Sequence, residues 1–197
     1  MNKTRLEAFS DAVIAILMTI MVLDLHSPAG IDTSSLWAVL PSVATYLLSF
    51  VMMGIYWNNH HHLLHATRQI NGAVLWANLH LLFWLSLLPF ATRWMSETEF
   101  ATLPTALYGC VLLLAAIAYT ILVRVILACQ PPDSVLADAI GSDRKGLISL
   151  GLYALAILLT LVNEWISVGL YALVALIWLV PDRRIEARVT SAPEKST

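Results

Sequence analysis

The chain has 197 residues, 59% of them hydrophobic and 12% charged, with a net charge of −2 and a mean hydropathy of +0.76. Soluble domains carry about 25% charged residues, so this composition excludes an ordinary soluble domain and predicts an all-α integral membrane protein. The charge balance offers nothing to a nucleic acid, and two cysteines, Cys110 and Cys129, do not build a disulfide framework.

The first apolar run covers 6–25, long enough for a helix that needs roughly 20 apolar residues to span a bilayer. Acidic residues in its flank and the lack of an A-x-A site argue against a cleaved signal peptide. At about 100° per residue, Ile16, Ile20 and Leu23 form one stripe, Thr19 lies beside it, and Phe9 and Ala12 extend it toward the N terminus. Ser10 and Asp11 point away from that stripe. Arg5 and Asp11 are six residues apart, too far round the helix for an i, i+4 pair, so each needs a partner elsewhere or water. A snorkelling arginine with Ser10 or Asp11 as an interfacial cap is the simplest reading of these three residues.

A link over 27–35, with Pro28 and Gly30, precedes the second span at 36–57. The polar stretch 58–71 follows, and it contains His60, His61, His62 and His65. His61 and His65 are four apart and His62 and His65 three apart, both workable metal-ligand spacings, but no cysteine completes a set. Neither a metal nor a cofactor is expected, and a pH-sensing role suits these histidines better. The third span, 72–92, holds His80 near its middle, an expected partner of Asn78, Ser86 or backbone and otherwise a candidate proton carrier. The remaining spans are 103–127, 146–163 and 165–181, joined by the hydrophilic segment 129–145 and a tight turn at 163–164. The whole reads as one membrane domain over 1–181 with a polar tail at 182–197.

In this six-helix arrangement Lys3, Arg5, Arg68, Arg124, Arg144, Lys145, Arg183, Arg184, Arg188 and Lys195 share one side, and Arg93 alone falls on the other. The positive-inside rule then makes both termini cytoplasmic in a multi-pass protein of the inner or plasma membrane. Trp37, Trp57, Trp94, Trp165 and Trp178 flank spans, as an aromatic belt does. Asp11, Asp24, Arg124 and Glu164 all belong near an interface, which disfavours pumps that need carboxylates within the membrane. Enzyme signatures are missing: no H-E-x-x-H, G-x-S-x-G, Walker loop or C-x-x-C occurs.

The pattern Arg5-x-x-x-Phe9-Ser10-Asp11 at the head of an apolar helix resembles the signature of the transmembrane protein 175 family of endosomal and lysosomal potassium channels. Tyr56-Trp57-Asn58-Asn59-His60, Asn78-Leu79, Leu88-Pro89-Phe90 and Tyr108-Gly109 agree with it, and the resemblance covers about 3–181. It implies a six-helix protomer that assembles as a homotetramer around a central pore lined by the first helix. It also implies a constriction of apolar rings at Ile16, Ile20 and Leu23 with Thr19 as a polar layer, passing potassium in preference to sodium. Arg5, Phe9, Ser10 and Asp11 would then join a network with Trp57, His60 or His61, and Asn78 that holds the pore helix. Asp24 is a candidate for the outer mouth, with a simple interfacial carboxylate as the equal alternative. The expected partners are other copies of the chain, the lipid bilayer and monovalent cations. The rival reading is a proton-conducting or proton-coupled secondary transporter using His80 or the His60–His65 run.

Overall fold

A computed structural model describes residues 2–130 and 144–179. The tail at 182–197 and most of the 129–145 segment, with Arg183, Arg184, Arg188 and Lys195, lie outside the described residues. Among those residues the regular structure is helical throughout: α1 Lys3–Leu23, α2 Thr33–Ala66, α3 Gly72–Ser86, α4 Leu88–Glu97, α5 Thr102–Cys129, α6 Arg144–Leu159 and α7 Glu164–Leu179. Helices satisfy their own backbone groups, the condition any lipid-immersed chain must meet. α1, α2, the α3–α4 pair and α5 are long and apolar enough to cross a membrane, whereas α6 and α7 are apolar helices of 16 residues.

Each expected span has a helical counterpart, with three informative differences. α1 begins at Lys3 because the Asn2 side chain accepts the Thr4 N–H and caps it. Ser10 and Asp11 therefore sit two turns inside the helix and are not its cap. α2 does not end near 57 but continues through the polar run to Ala66, an overall length of about 51 Å. Nothing in 58–66 breaks a helix, and His60, Leu63 and Leu64 keep burying one face. The true connector is 67–71, which ends on Asn71 capping the Val74 N–H. The third span divides at Leu87 into α3 and α4, because Pro89 in the first turn of α4 has no N–H to continue the ladder. At the other end of α2, Ser34 and Ser35 donate to the Asp32 carboxylate and hold its pKa down at about 2.

α5 packs against α3, α4, α6 and α7, so it forms the spine of the bundle, and α1 packs on α2, α3 and α4. Small residues let the helices approach: Gly109 on α5 leaves room for Tyr171 of α7, whose hydroxyl would lie 2.1 Å from a Cβ at that position. Tyr171 donates instead to the Thr105 carbonyl at 3.1 Å. A buried polar set joins three helices, with Thr92 donating to Ser49 at 2.7 Å and Ser49 hydrogen-bonded to Tyr108 at 3.0 Å.

Candidate functional site: the two faces of helix α1

α1 separates its residues cleanly by face. Leu6, Ser10, Ile14, Leu17 and Met21 are buried against the bundle. The opposite face leaves Phe9, Ile16, Ile20 and Leu23 exposed in the single chain, Leu23 at 81%. The residues between them on that face are Ala12, Ala15 and Thr19, also exposed. The stripe expected from periodicity is therefore the side of α1 that the other described residues of the protomer do not cover. Thr19 donates its hydroxyl hydrogen to the Ile16 carbonyl at 2.8 Å, so only oxygen lone pairs point outward from it.

The buried face carries a polar junction of three helices. Asn78 of α3 donates through Nδ2 to Ser10 Oγ at 3.0 Å, and its Oδ1 lies 2.7 Å from His60 Nε2 of α2. The amide oxygen can only accept, so His60 must carry its proton on Nε2 there. Ser10 and Asn78 are fully buried and His60 is 1% exposed. Groups sealed from water in this way favour one helix rotation, because any other leaves a donor or acceptor unmatched.

Asp11, half-buried, is held differently. Trp57 donates its indole N–H to Asp11 Oδ1 at 3.1 Å. The Trp57 ring stacks on His61, and His61 stacks on His65, with centroids 6.1 Å apart in both pairs. Lys3 then donates to the His65 carbonyl at 2.6 Å, which ties the start of α1 to the end of α2 where the helix dipole favours a cation.

Of the residues expected in one network, the structure brings Ser10, Asn78 and His60 together, and pairs Asp11 with Trp57. Arg5 and Phe9 lie on the exposed face with Ile16. Among the described residues the Arg5 side chain has no hydrogen-bond or ion-pair partner. His61 stands one residue, about 100°, round from His60 and cannot reach Asn78. His80 is exposed, and its Nε2 accepts from Trp84 Nε1 at 2.9 Å, not from Asn78 or Ser86. No group of three His, Cys, Asp or Glu placed to hold a metal occurs among the described residues.

The far end of α1 shows an element that spacing alone could not reveal. Arg93 of α4 donates to Asp24 at 3.4 Å and to Glu97 at 2.8 Å. Asp24 caps the C-terminal end of α1, so Arg93 ties α4 to the end of that helix. The link spans 69 residues of sequence, and no local signal announces it.

The chain is similar to known proteins along most of its length. The family model for the endosomal/lysosomal potassium channel TMEM175 matches residues 5–89, the stretch that holds α1, Trp57, His60 and Asn78. A potassium channel of Chryseobacterium sp. (strain P1-3) is 53% identical over 186 residues, 94% of this chain and 97% of that protein. A potassium channel of Streptomyces collinus (strain DSM 40733 / Tue 365) is 33% identical over 128 residues, 60% of this chain and 62% of that protein. The crystal structure of a lysosomal potassium-selective channel TMEM175 homologue from Chamaesiphon minutus matches with a TM-score of 0.80 and 29% identity, covering 92% of this chain and 97% of that one.

Proposed function

The chain belongs to the TMEM175 family of ion channels, which are not enzymes, and from that premise we propose that it conducts potassium passively, in preference to sodium, through a homotetrameric pore lined by α1. The observation that carries this reading is the division of α1 into two faces. One side is locked to α2 and α3 by Ser10, Asn78 and His60, and the other leaves Ile16, Thr19, Ile20 and Leu23 uncovered by the protomer's own helices.

Four copies facing one axis would stack these side chains as rings, with Ile16 and Leu23 about 10 Å apart along the helix. Isoleucine and leucine offer an ion no ligands, so passage requires partial dehydration and a dry ring also blocks flow. Potassium gives up its water more readily than sodium, which supplies selectivity without a carbonyl cage. The Thr19 oxygens, with their hydrogens turned back into the helix, would replace some of the lost water. Both termini would face the cytoplasm and the protein would reside in the cell membrane, as the bias of basic residues suggests.

The test is a bilayer recording of the purified protein under potassium, sodium and proton gradients. A current reversing near the potassium potential is expected. Reversal at the proton potential, or flux with fixed coupling stoichiometry, would overturn the proposal in favour of the proton-linked rival. Replacing Ile16 by Asn should raise the conductance, because an amide ring wets a constriction that isoleucine keeps dry; an unchanged current would move the constriction off that ring.

A further inference from the structure

His80 and Arg124 take no part in the pore reading, and both are exposed on helices that pack together, α3 and α5. Asn71, at the start of α3, donates to Cys129 Sγ at the end of α5, at 2.9 Å. From that contact the helices run back alongside each other, so Trp76 and Arg124 stand at one level, each about 7.5 Å in. Trp76, His80 and Phe83 form an exposed stripe on α3 at spacings i, i+4 and i+7, and Ile117, Ile121 and Arg124 form a matching one on α5. Asn78 faces α1 and α2, and His80, about 200° round the helix from it, faces away from them. α5 is about 42 Å long against a hydrocarbon core of about 30 Å, so Arg124 falls at the edge of that core, where lipid phosphates begin.

Neither polar side chain finds what it needs within the chain. Among the described residues the Arg124 guanidinium has no hydrogen-bond or ion-pair partner. His80 accepts the Trp84 indole N–H on Nε2, so its own proton sits on Nδ1, where no described residue accepts it. A charge and a free donor turned toward hydrocarbon are costly. A phospholipid supplies both acceptors at the right depths: a phosphate at Arg124 and, about 6 Å deeper along α3 from Trp76, an ester carbonyl at His80. The headgroup zone of one leaflet is about 5–8 Å thick, which matches that step. Arg68, exposed and with its N–H held by Gln130 just past the end of α5, adds a second cation on the water side. Two cations favour a headgroup of net negative charge.

We infer that this outer face of α3 and α5 is a site for one anionic glycerophospholipid per protomer. The phosphate sits on Arg124, an ester carbonyl accepts from His80 Nδ1–H, and an acyl chain lies along Phe83, Ile117 and Ile121. The site is independent of the conduction proposal, and its test reads binding alone.

Native mass spectrometry of the delipidated full-length assembly identifies the occupant, with dioleoyl phosphatidylglycerol, its dialkyl ether analogue or dioleoyl phosphatidylcholine added back. The wild type should hold one phosphatidylglycerol per protomer. It should bind phosphatidylcholine about 5-fold more weakly, the effect of one exposed charge pair, and the ether analogue about 5-fold more weakly, the effect of one hydrogen bond. Arg124→Gln should bring the two headgroups within about 2-fold of each other. His80→Phe should do the same for ester and ether while keeping the preference for phosphatidylglycerol. Leu103→Gln, exposed at the other end of α5, should behave as wild type. Equal binding of the two headgroups or of ester and ether by the wild type overturns the site, as does an unchanged headgroup preference in Arg124→Gln. If Arg124→Gln instead changes the number of subunits in the assembly, a second copy covers this face and the lipid assignment falls. Should that variant fail to express, the ester-to-ether ratio in His80→Phe decides, because that variant removes the donor and keeps the ring.

Discussion

The two ends of α1 are held by opposite kinds of chemistry. Near its start, Ser10 meets Asn78 and His60 in a neutral junction sealed from solvent. At its finish, Asp24 meets Arg93 in an ion pair whose side chains are 26% and 48% exposed. A buried neutral network is sensitive to geometry and indifferent to salt. An exposed ion pair tolerates movement and is weakened by salt, because water and counter-ions share its field. The same helix is thus fixed in rotation at one end and tethered loosely at the other, which suits an element whose far half adjusts while its near half sets the register.

The largest break in that contrast should come from Asn78→Ala. It leaves the Nε2–H of His60 and the hydroxyl of Ser10 without their partner in a dry site, at about 1–3 kcal/mol for each stranded group. A loss of roughly 3 kcal/mol, or failure to assemble, is expected in thermal unfolding or size-exclusion of the purified protein, with no dependence on ionic strength. A loss below about 1 kcal/mol would mean that apolar packing, by Ile14, Leu17 and Met21, already sets the rotation without the junction.

A smaller change tests the intermediate link. Trp57→Phe keeps the stacked ring over His61 but removes the donor to Asp11, a half-exposed charged bond worth about 1 kcal/mol. The expected result is a modest fall in Tm with conduction retained. Abolished currents in a folded Trp57→Phe assembly would promote Asp11 to the same rank as Ser10.

These comparisons also separate what was legible in the amino-acid sequence from what was not. Each of the six expected spans is legible as an apolar run, because lipid-length hydrophobicity is a property of consecutive residues, whereas the division of the third into α3 and α4 is not. The stripe on α1 was legible for the same reason: Ile16, Ile20 and Leu23 differ by fixed local rotations. Boundaries were less so. The polar run at 58–66 reads as a connection by composition, yet His60, Leu63 and Leu64 bury one face of a helix that simply continues. Partners across helices were the least legible. Adjacent His60 and His61 have identical chemistry, and only the placement of α2 and α3 around α1 selects the first for Asn78. The pairing of Arg93 with Asp24 depends on where α4 meets α1 in space, which no residue near either one encodes.

The smallest structural effect, and the sharpest functional one, belongs to Arg93→Gln. An exposed ion pair contributes little to folding, so Tm should hardly move. Its charge is another matter. If four Asp24 carboxylates surround the pore mouth, each is at present countered by a guanidinium at 3.4 Å. Removing Arg93 would uncover four negative charges, raise the local cation concentration and increase potassium current, provided that the bath is dilute. At about 0.01 M salt the screening length is near 30 Å and the whole mouth feels the change, whereas at 1 M it shrinks to about 3 Å and the increase should vanish. Asp24→Asn should do the reverse, lowering the current at low salt only. Currents of Arg93→Gln that match wild type at every ionic strength would place Asp24 away from the permeation path and leave its bond to Arg93 as a tether alone.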